Sequence, residues 1–189
     1  MIVSTSYRTE GFDELITAII RIVNPDMVVE LGTQQGKSAI AIARGLREGQ
    51  RLYTYDLYEE TYRNPPYAPT RADYKQAEIN IEEAGLASRV TSVRMDAFVV
   101  HDAFHQVDVL HMDIGNHYDN VLRILKQWHK RVAKLILIEG GVHNRWQKEH
   151  GFEPFTAILE MSFIEDNYDY CIVHGEDDHA MTILTRKGR

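Results

Sequence analysis

The residues best suited to chemistry in this chain are acids and glycines at the ends of apolar runs, with one histidine beside them. In MVVELGTQQGKSAIAIARGL, Met27 to Leu46, a strand-like run leads through Glu30 into a turn bounded by Gly32 and Gly36, then into a helix-like run. Glycine in such a turn lets the backbone approach a ligand closely, and the start of the helix offers backbone N–H groups. An acid two residues before the first glycine suits a ligand carrying a positive charge, such as an amino-acid ammonium. The spacing is E-x-G-x-x-x-G, whereas dinucleotide enzymes hold a pyrophosphate with G-x-G-x-x-G. Asp56 follows Gly36 by 20 residues and ends the next strand-like run, where a carboxylate can accept both hydroxyls of a ribose. Asp96, in MDAF, suits the N-cap of a following helix. Imidazole is the side chain that exchanges protons near neutral pH, so His117 suits a general base, and equally a solvent-facing residue at a helix start.

These positions punctuate a regular alternation of elements. A helix is expected from Gly11 to Val23 within an N-terminal segment 1–25, its apolar face carrying Phe12, Leu15, Ile16, Ile19, Ile20 and Val23 and its end set by Asn24-Pro25. Strands are expected at Met27–Leu31, Arg51–Tyr55, Arg89–Met95, Val107–Met112 and Lys134–Ile138. Helices are expected between them, at Lys37–Arg47, Arg71–Ala84, Ala97–His105 and His117–Lys130. That alternation implies crossovers and a mostly parallel sheet with helices on both faces. The ending differs: after a helix over Pro154–Asp166, the runs Tyr168–Val173 and Ala180–Thr185 are joined only by HGEDDH. A link that short cannot cross over to a parallel neighbour, so the last two strands must form an antiparallel hairpin. The segment 57–73 has three prolines and no apolar period. It falls after the carboxyl end of a strand beside the glycine turn, as a lid over a ligand crevice would.

The glycine turn, five parallel strands and closing hairpin resemble the class I S-adenosylmethionine (SAM) methyltransferases across nearly the whole 189-residue chain, read as one domain. The resemblance implies an α/β, Rossmann-like, seven-stranded mostly parallel sheet and SAM as cofactor. It further implies a cofactor-binding set of Glu30, Gly32, Thr33, Gly36, Ser38, Asp56, Leu57, Asp96, Ala97, Phe98 and Asp113. In that set Asp96 would accept from the adenine amino group and Phe98 would cover the ring. The run VDVLHMDIGNHYDNV is similar to the fourth-strand motif H-I-D-G-D-H-S-Y of a small-molecule branch of the family. His111, Met112, Asp113 and Tyr118 fall on it, whereas Ile114, Gly115 and Asn116 depart from it and the histidine is displaced to His117. Asp113 and His117 are therefore the expected catalytic pair.

Related catechol methyltransferases hold magnesium with an aspartate at this strand end and an Asp-Asn pair after the fifth strand. Here Glu139 and Gly140 stand in the pair's places, so no metal is expected. His111, His117, His143 and His150 lack the i, i+4 spacing of a zinc helix and read as surface residues. His143, Arg145 and Trp146 are candidate substrate contacts in the loop after the fifth strand.

Composition narrows the partners. A net charge of −7 with scattered acids speaks against a nucleic-acid partner. No apolar run reaches the ~20 residues of a membrane span, and the amino terminus lacks a signal-like apolar core. The one cysteine, Cys171, in an apolar run, reads as a buried thiol in a reducing, cytoplasmic setting. The reading is thus a cytoplasmic SAM-dependent methyltransferase with a small-molecule acceptor, a hydroxyl being one choice, and homo-oligomerisation left open. Two rivals stand beside it. One is a SAM-fold protein that binds without catalysis; the other is an NAD-type oxidoreductase, which the missing G-x-G-x-x-G and the hairpin disfavour.

Overall fold

The computed structural model describes residues 11–58, 74–115, 117–143, 148, 149, 151, 154–175 and 179–188. Seven strands form one sheet: β1 Met27–Leu31, β2 Arg51–Asp56, β3 Val90–Arg94, β4 Val107–Met112, β5 Val132–Glu139, β6 Tyr168–His174 and β7 Ala180–Arg186. Their order across the sheet is β3-β2-β1-β4-β5-β7-β6. β1 to β5 run parallel, while β7 pairs antiparallel with both β5 and β6. The architecture is the α/β, Rossmann-like seven-stranded sheet, with its C-terminal antiparallel hairpin, that the sequence pattern implies.

The helices are α1 Phe12–Val23, α2 Lys37–Gly45, α3 Tyr74–Glu83 and α4 Tyr118–Trp128. Side chains alternate across a strand, so each strand feeds two cores. Val28, Leu52, Val109 and Leu137 face α1 and α2, where Phe12, Ile16, Ile20 and Ile42 are buried. Val29, Leu31, Leu110 and Met112 face the other layer, packed with Ile124, Leu125, Trp128 and Ile158. α1 ends at Asn24, which takes a left-handed φ of 48° and returns its N–H to the Ile20 carbonyl ahead of Pro25. Chain direction across the sheet reverses between β1 and β4, and at such a switch point the loops diverge and leave a crevice at the strands' carboxyl ends.

Several expectations change. Over Pro154–Asp166 there is no single helix but a 3₁₀ segment, Phe155–Glu160, followed by one helical turn, Ser162–Glu165. Over Ala97–His105 only Val100–Ala103 is helical, again 3₁₀. Short tight pieces suffice there, because the chain has only to bury Val100 or Ile158 and turn back. Cys171 is exposed, not buried, since β6 is the edge strand and its middle residues have little packed on them. No described helix is long and apolar enough to cross a membrane. The expected lid falls outside the described residues from position 59 onward, as do Asn116, Arg145, Trp146 and His150.

Candidate active site

Glu30, Gly32, Asp56, Asp96, Asp113 and Glu139 all lie at or just beyond the carboxyl ends of β1 to β5. β1 is tied into its neighbours at this end: the Gly32 N–H donates to the Tyr55 carbonyl at 2.8 Å, and the Asp113 N–H to the Leu31 carbonyl at 2.8 Å. Gly32 takes φ +97°, and a Cβ placed on it would run into the Asp113 backbone carbonyl. Glycine is therefore demanded here by the exit of β4 and not by ligand space. Gly36 differs. It is the left-handed N-cap of α2 at φ 83°, and a Cβ there would meet its nearest atom, the Ala77 carbonyl oxygen, at an ordinary 3.5 Å. Only its conformation requires glycine.

Two acids hold the turn from opposite sides. Asp56 accepts the Thr33 and Gln34 N–H groups on Oδ2, each at 2.9 Å, and the Tyr58 N–H on Oδ1, also at 2.9 Å. A carboxylate has about four lone-pair positions, and three are filled by these bonds. One acceptor position remains, on Oδ1, open to a further donor.

Glu30 is fully buried, and so are its partners. It sits on β1, in register with Thr54 on β2 and His111 on β4. Its Oε2 accepts from the Thr54 hydroxyl at 2.5 Å, and its Oε1 lies 3.1 Å from His111 Nδ1. The Thr54 hydroxyl also meets the Thr33 hydroxyl at 2.5 Å, so a polar chain crosses the sheet and emerges in the glycine turn. His111 is thus an interior residue and not the surface histidine expected of it. Tyr58 closes over this chain in a left-handed conformation, φ 50°, 5 % exposed and edge-on to Tyr74. Burial pushes its phenol above the usual range, with the charges of Asp56 and Glu30 adding to the rise.

Ser38, in the first turn of α2, is buried, and Leu57 is half-buried beyond Asp56. At the β3 end, the Asp96 carboxylate accepts the Phe98 N–H at 2.9 Å, the local turn its position suggests. Ala97 is buried below it. Phe98 stays partly open, and the Arg123 guanidinium lies 4.1 Å from its ring centroid. One face of that ring is therefore taken by a cation. After β4, Asp113 is half-buried, Gly115 turns at φ +90°, and the His117 ring packs against that turn. After β5, Gly140 and Gly141 take φ 103° and 132°, and the Gly140 carbonyl accepts from Thr182 of β7 at 2.8 Å. Where a side-chain ligand was missed in the sequence, the backbone has a conformation that favours glycine. Among the described residues, no three His, Cys, Asp or Glu side chains gather as metal ligands do.

The sequence profile of the family described as "Methyltransferase domain" matches residues 29–138, more than half of the chain. The chain belongs to this family. The solved structures it is similar to include a methyltransferase from Geobacter sulfurreducens (TM-score 0.69, 19 % identity, 99 % of this chain and 81 % of that one). Another is the O-methyltransferase TomG from Streptomyces achromogenes, crystallised with SAM (TM-score 0.69, 17 % identity, 99 % and 82 %). A third is the O-methyltransferase from Bacillus cereus, in complex with SAH (TM-score 0.70, 18 % identity, 97 % and 84 %). At these identities the likeness is one of fold. No curated protein matches the chain by sequence.

The methyltransferase-domain match spans the glycine turn, Asp56, Asp96, Asp113 and His117, and stops before Glu139. Sequence reasoning missed the inward role of His111, Thr54 and Tyr58. The signal was present for His111: it interrupts VDVLHM, and the central strands of a parallel sheet are covered on both faces. A histidine there has to be buried, and a buried histidine needs a polar partner.

Proposed function

We propose that this methyltransferase-domain chain transfers a methyl group from SAM to a small-molecule acceptor, with a hydroxyl as the favoured acceptor group. The observation that carries the reading is the acid-held glycine turn at the β1/β4 switch point. Its fit to SAM is chemical. The free acceptor position on Asp56 suits a ribose hydroxyl, the acid Glu30 behind the turn suits an ammonium, and the partly exposed Phe98 beside Asp96 suits a purine. The O-methyltransferases of similar fold, crystallised with SAM or SAH, support the cofactor and the acceptor group.

Bound SAM supplies a methyl already activated on a sulfonium, so no covalent nucleophile is required of the protein. The chain's own residues then have three tasks. The turn and Asp56 fix the cofactor's position, so that acceptor and methyl carbon meet in line. Asp113, at the mouth of the crevice, orients the acceptor. His117 takes the acceptor's proton as the new bond forms, a step worth roughly 10²–10⁴-fold in rate. Incubating the protein with methyl-labelled SAM and a panel of small phenols, catechols and amines tests this. Acceptor-dependent release of SAH supports it. SAM binding with no transfer to any acceptor favours a binding protein of the same fold.

A further inference from the structure

One buried residue of α3 is not called for by the packing of that helix. Its buried positions are Ala77, Asn80 and Ile81, so Asn80, 5 % exposed, stands between two apolar neighbours. Asparagine is a weak helix former, and burying its amide is costly unless both ends find partners. Both do. Asn80 Nδ2 donates to the Gln35 carbonyl at 2.8 Å, and Asn80 Oδ1 accepts from Gln76 Nε2 at 2.9 Å. A carbonyl only accepts, so the amide has a single orientation, with its donor toward the glycine turn and its acceptor toward its own helix.

The bond lands on the peptide that leads into α2. In a planar trans peptide the C=O and the N–H point opposite ways. With the Gln35 carbonyl held by α3, the Gly36 N–H is aimed at the Thr33 carbonyl, which it meets at 2.7 Å. At the other end of the turn, Asp56 holds the Thr33 and Gln34 N–H groups. Between these two anchors Gln34 keeps φ 48°, a left-handed conformation that a side chain disfavours. Glycine has no such restriction and takes either sign of φ, so at Gly36 the 35–36 peptide can turn over unless something holds it. Asp56 does not, its bonds ending on Thr33, Gln34 and Tyr58. α3 does, and it lies close by: a Cβ on Gly36 would be 3.5 Å from both the Ala77 carbonyl oxygen and Ile81.

Resting on the cofactor reading above, we propose that Asn80 is a positioning residue for SAM: it locks the 35–36 peptide in the form of the turn that receives the cofactor's amino-acid end. It acts through that peptide and not by contact with the ligand. Without it the Gln35 carbonyl swings out to water, the Gly36 N–H leaves Thr33, and the binding form becomes one of several. A ligand that needs that form is weakened by the fraction lost. Ribose recognition, which rests on Asp56, is spared.

Calorimetry on the full chain compares SAH with 5′-methylthioadenosine, which lacks the amino-acid arm. Asn80→Ala is expected to weaken SAH roughly five- to fiftyfold, the weight of a shielded carbonyl left without its donor, and to leave methylthioadenosine within about twofold. Asn80→Asp keeps the shape and removes the donor, so it should repeat the selective loss, which keeps the test available if Asn80→Ala does not fold. Leu86→Ala, at a buried residue beyond the end of α3, should lower the urea midpoint and leave SAH affinity unchanged. Unchanged SAH affinity in a folded Asn80 variant, equal weakening of both nucleosides, or a matching loss in Leu86→Ala overturns the role of Asn80. Failure of the unaltered protein to bind either nucleoside overturns the cofactor reading itself.

Discussion

Gly32 and Gly36 bound the same turn, yet the structure asks different things of them, and alanine at each position separates the two demands. Gly36→Ala places a methyl at φ 83° in open contact, its nearest neighbour 3.5 Å away, so only backbone strain is added. Left-handed backbone costs an L-residue about 1–2 kcal/mol. Gly32→Ala adds the same strain at φ +97° and also drives the methyl into the Asp113 carbonyl. That neighbour is backbone, fixed by its strand's ladder, so it cannot yield by a rotamer change. Overpacking of this kind costs about 1–3 kcal/mol, bringing the sum to roughly 2–5 kcal/mol. Urea unfolding followed by circular dichroism reads both losses as shifts in midpoint at constant slope. The Gly32 variant should also lose turnover beyond its loss of stability, because relief of the clash moves Asp113. If Gly36→Ala proves the more destabilising, or Gly32→Ala unfolds with the unaltered protein, the close approach of β1 and β4 described above is wrong.

Three further outcomes follow from the site. If the acceptor is a hydroxyl, Asp113→Ala and His117→Ala should each lower turnover with SAM affinity nearly unchanged, His117→Ala by roughly 10²–10⁴-fold; unchanged turnover of His117→Ala between about pH 6 and 9 would remove it from the mechanism. Because Gly140 offers no side chain where a metal-binding pair would place one, methyl transfer should survive EDTA; loss in EDTA with recovery in magnesium would contradict that. The Tyr58 phenol binds its proton more tightly folded than unfolded, so stability should fall as pH rises above the ordinary tyrosine value of 10.0, and Tyr58→Phe should flatten that fall in alkaline urea titrations.

Much of the fold was legible because its signals are local. β1 and β4 begin and end where their apolar runs do, Asn24-Pro25 stops α1, and HGEDDH is too short for anything but a hairpin. What was not legible depended on partners distant in sequence. The stretch Pro154–Asp166 has enough apolar residues for a helix, but tertiary packing breaks it into shorter pieces. Cys171 sits in an apolar run, yet its exposure follows from β6 being at the sheet's edge, which strand order decides. In the site, the acids at strand ends were readable from position. The pairing of Glu30 with His111, 81 residues apart, was not, because it exists only in the register of β1 on β4. The same register explains why Glu30 ends up serving the turn through Thr54 and Thr33 from a fully buried position.

The central claim is that the acid-held turn at the β1/β4 switch point is a SAM site. Calorimetric titration of the purified chain with SAM, SAH and NAD tests it most directly, with Asp56→Ala alongside. The account predicts saturable binding of SAM and SAH, none of NAD, and a marked loss in the Asp56 variant. Binding of NAD with none of SAM would contradict it.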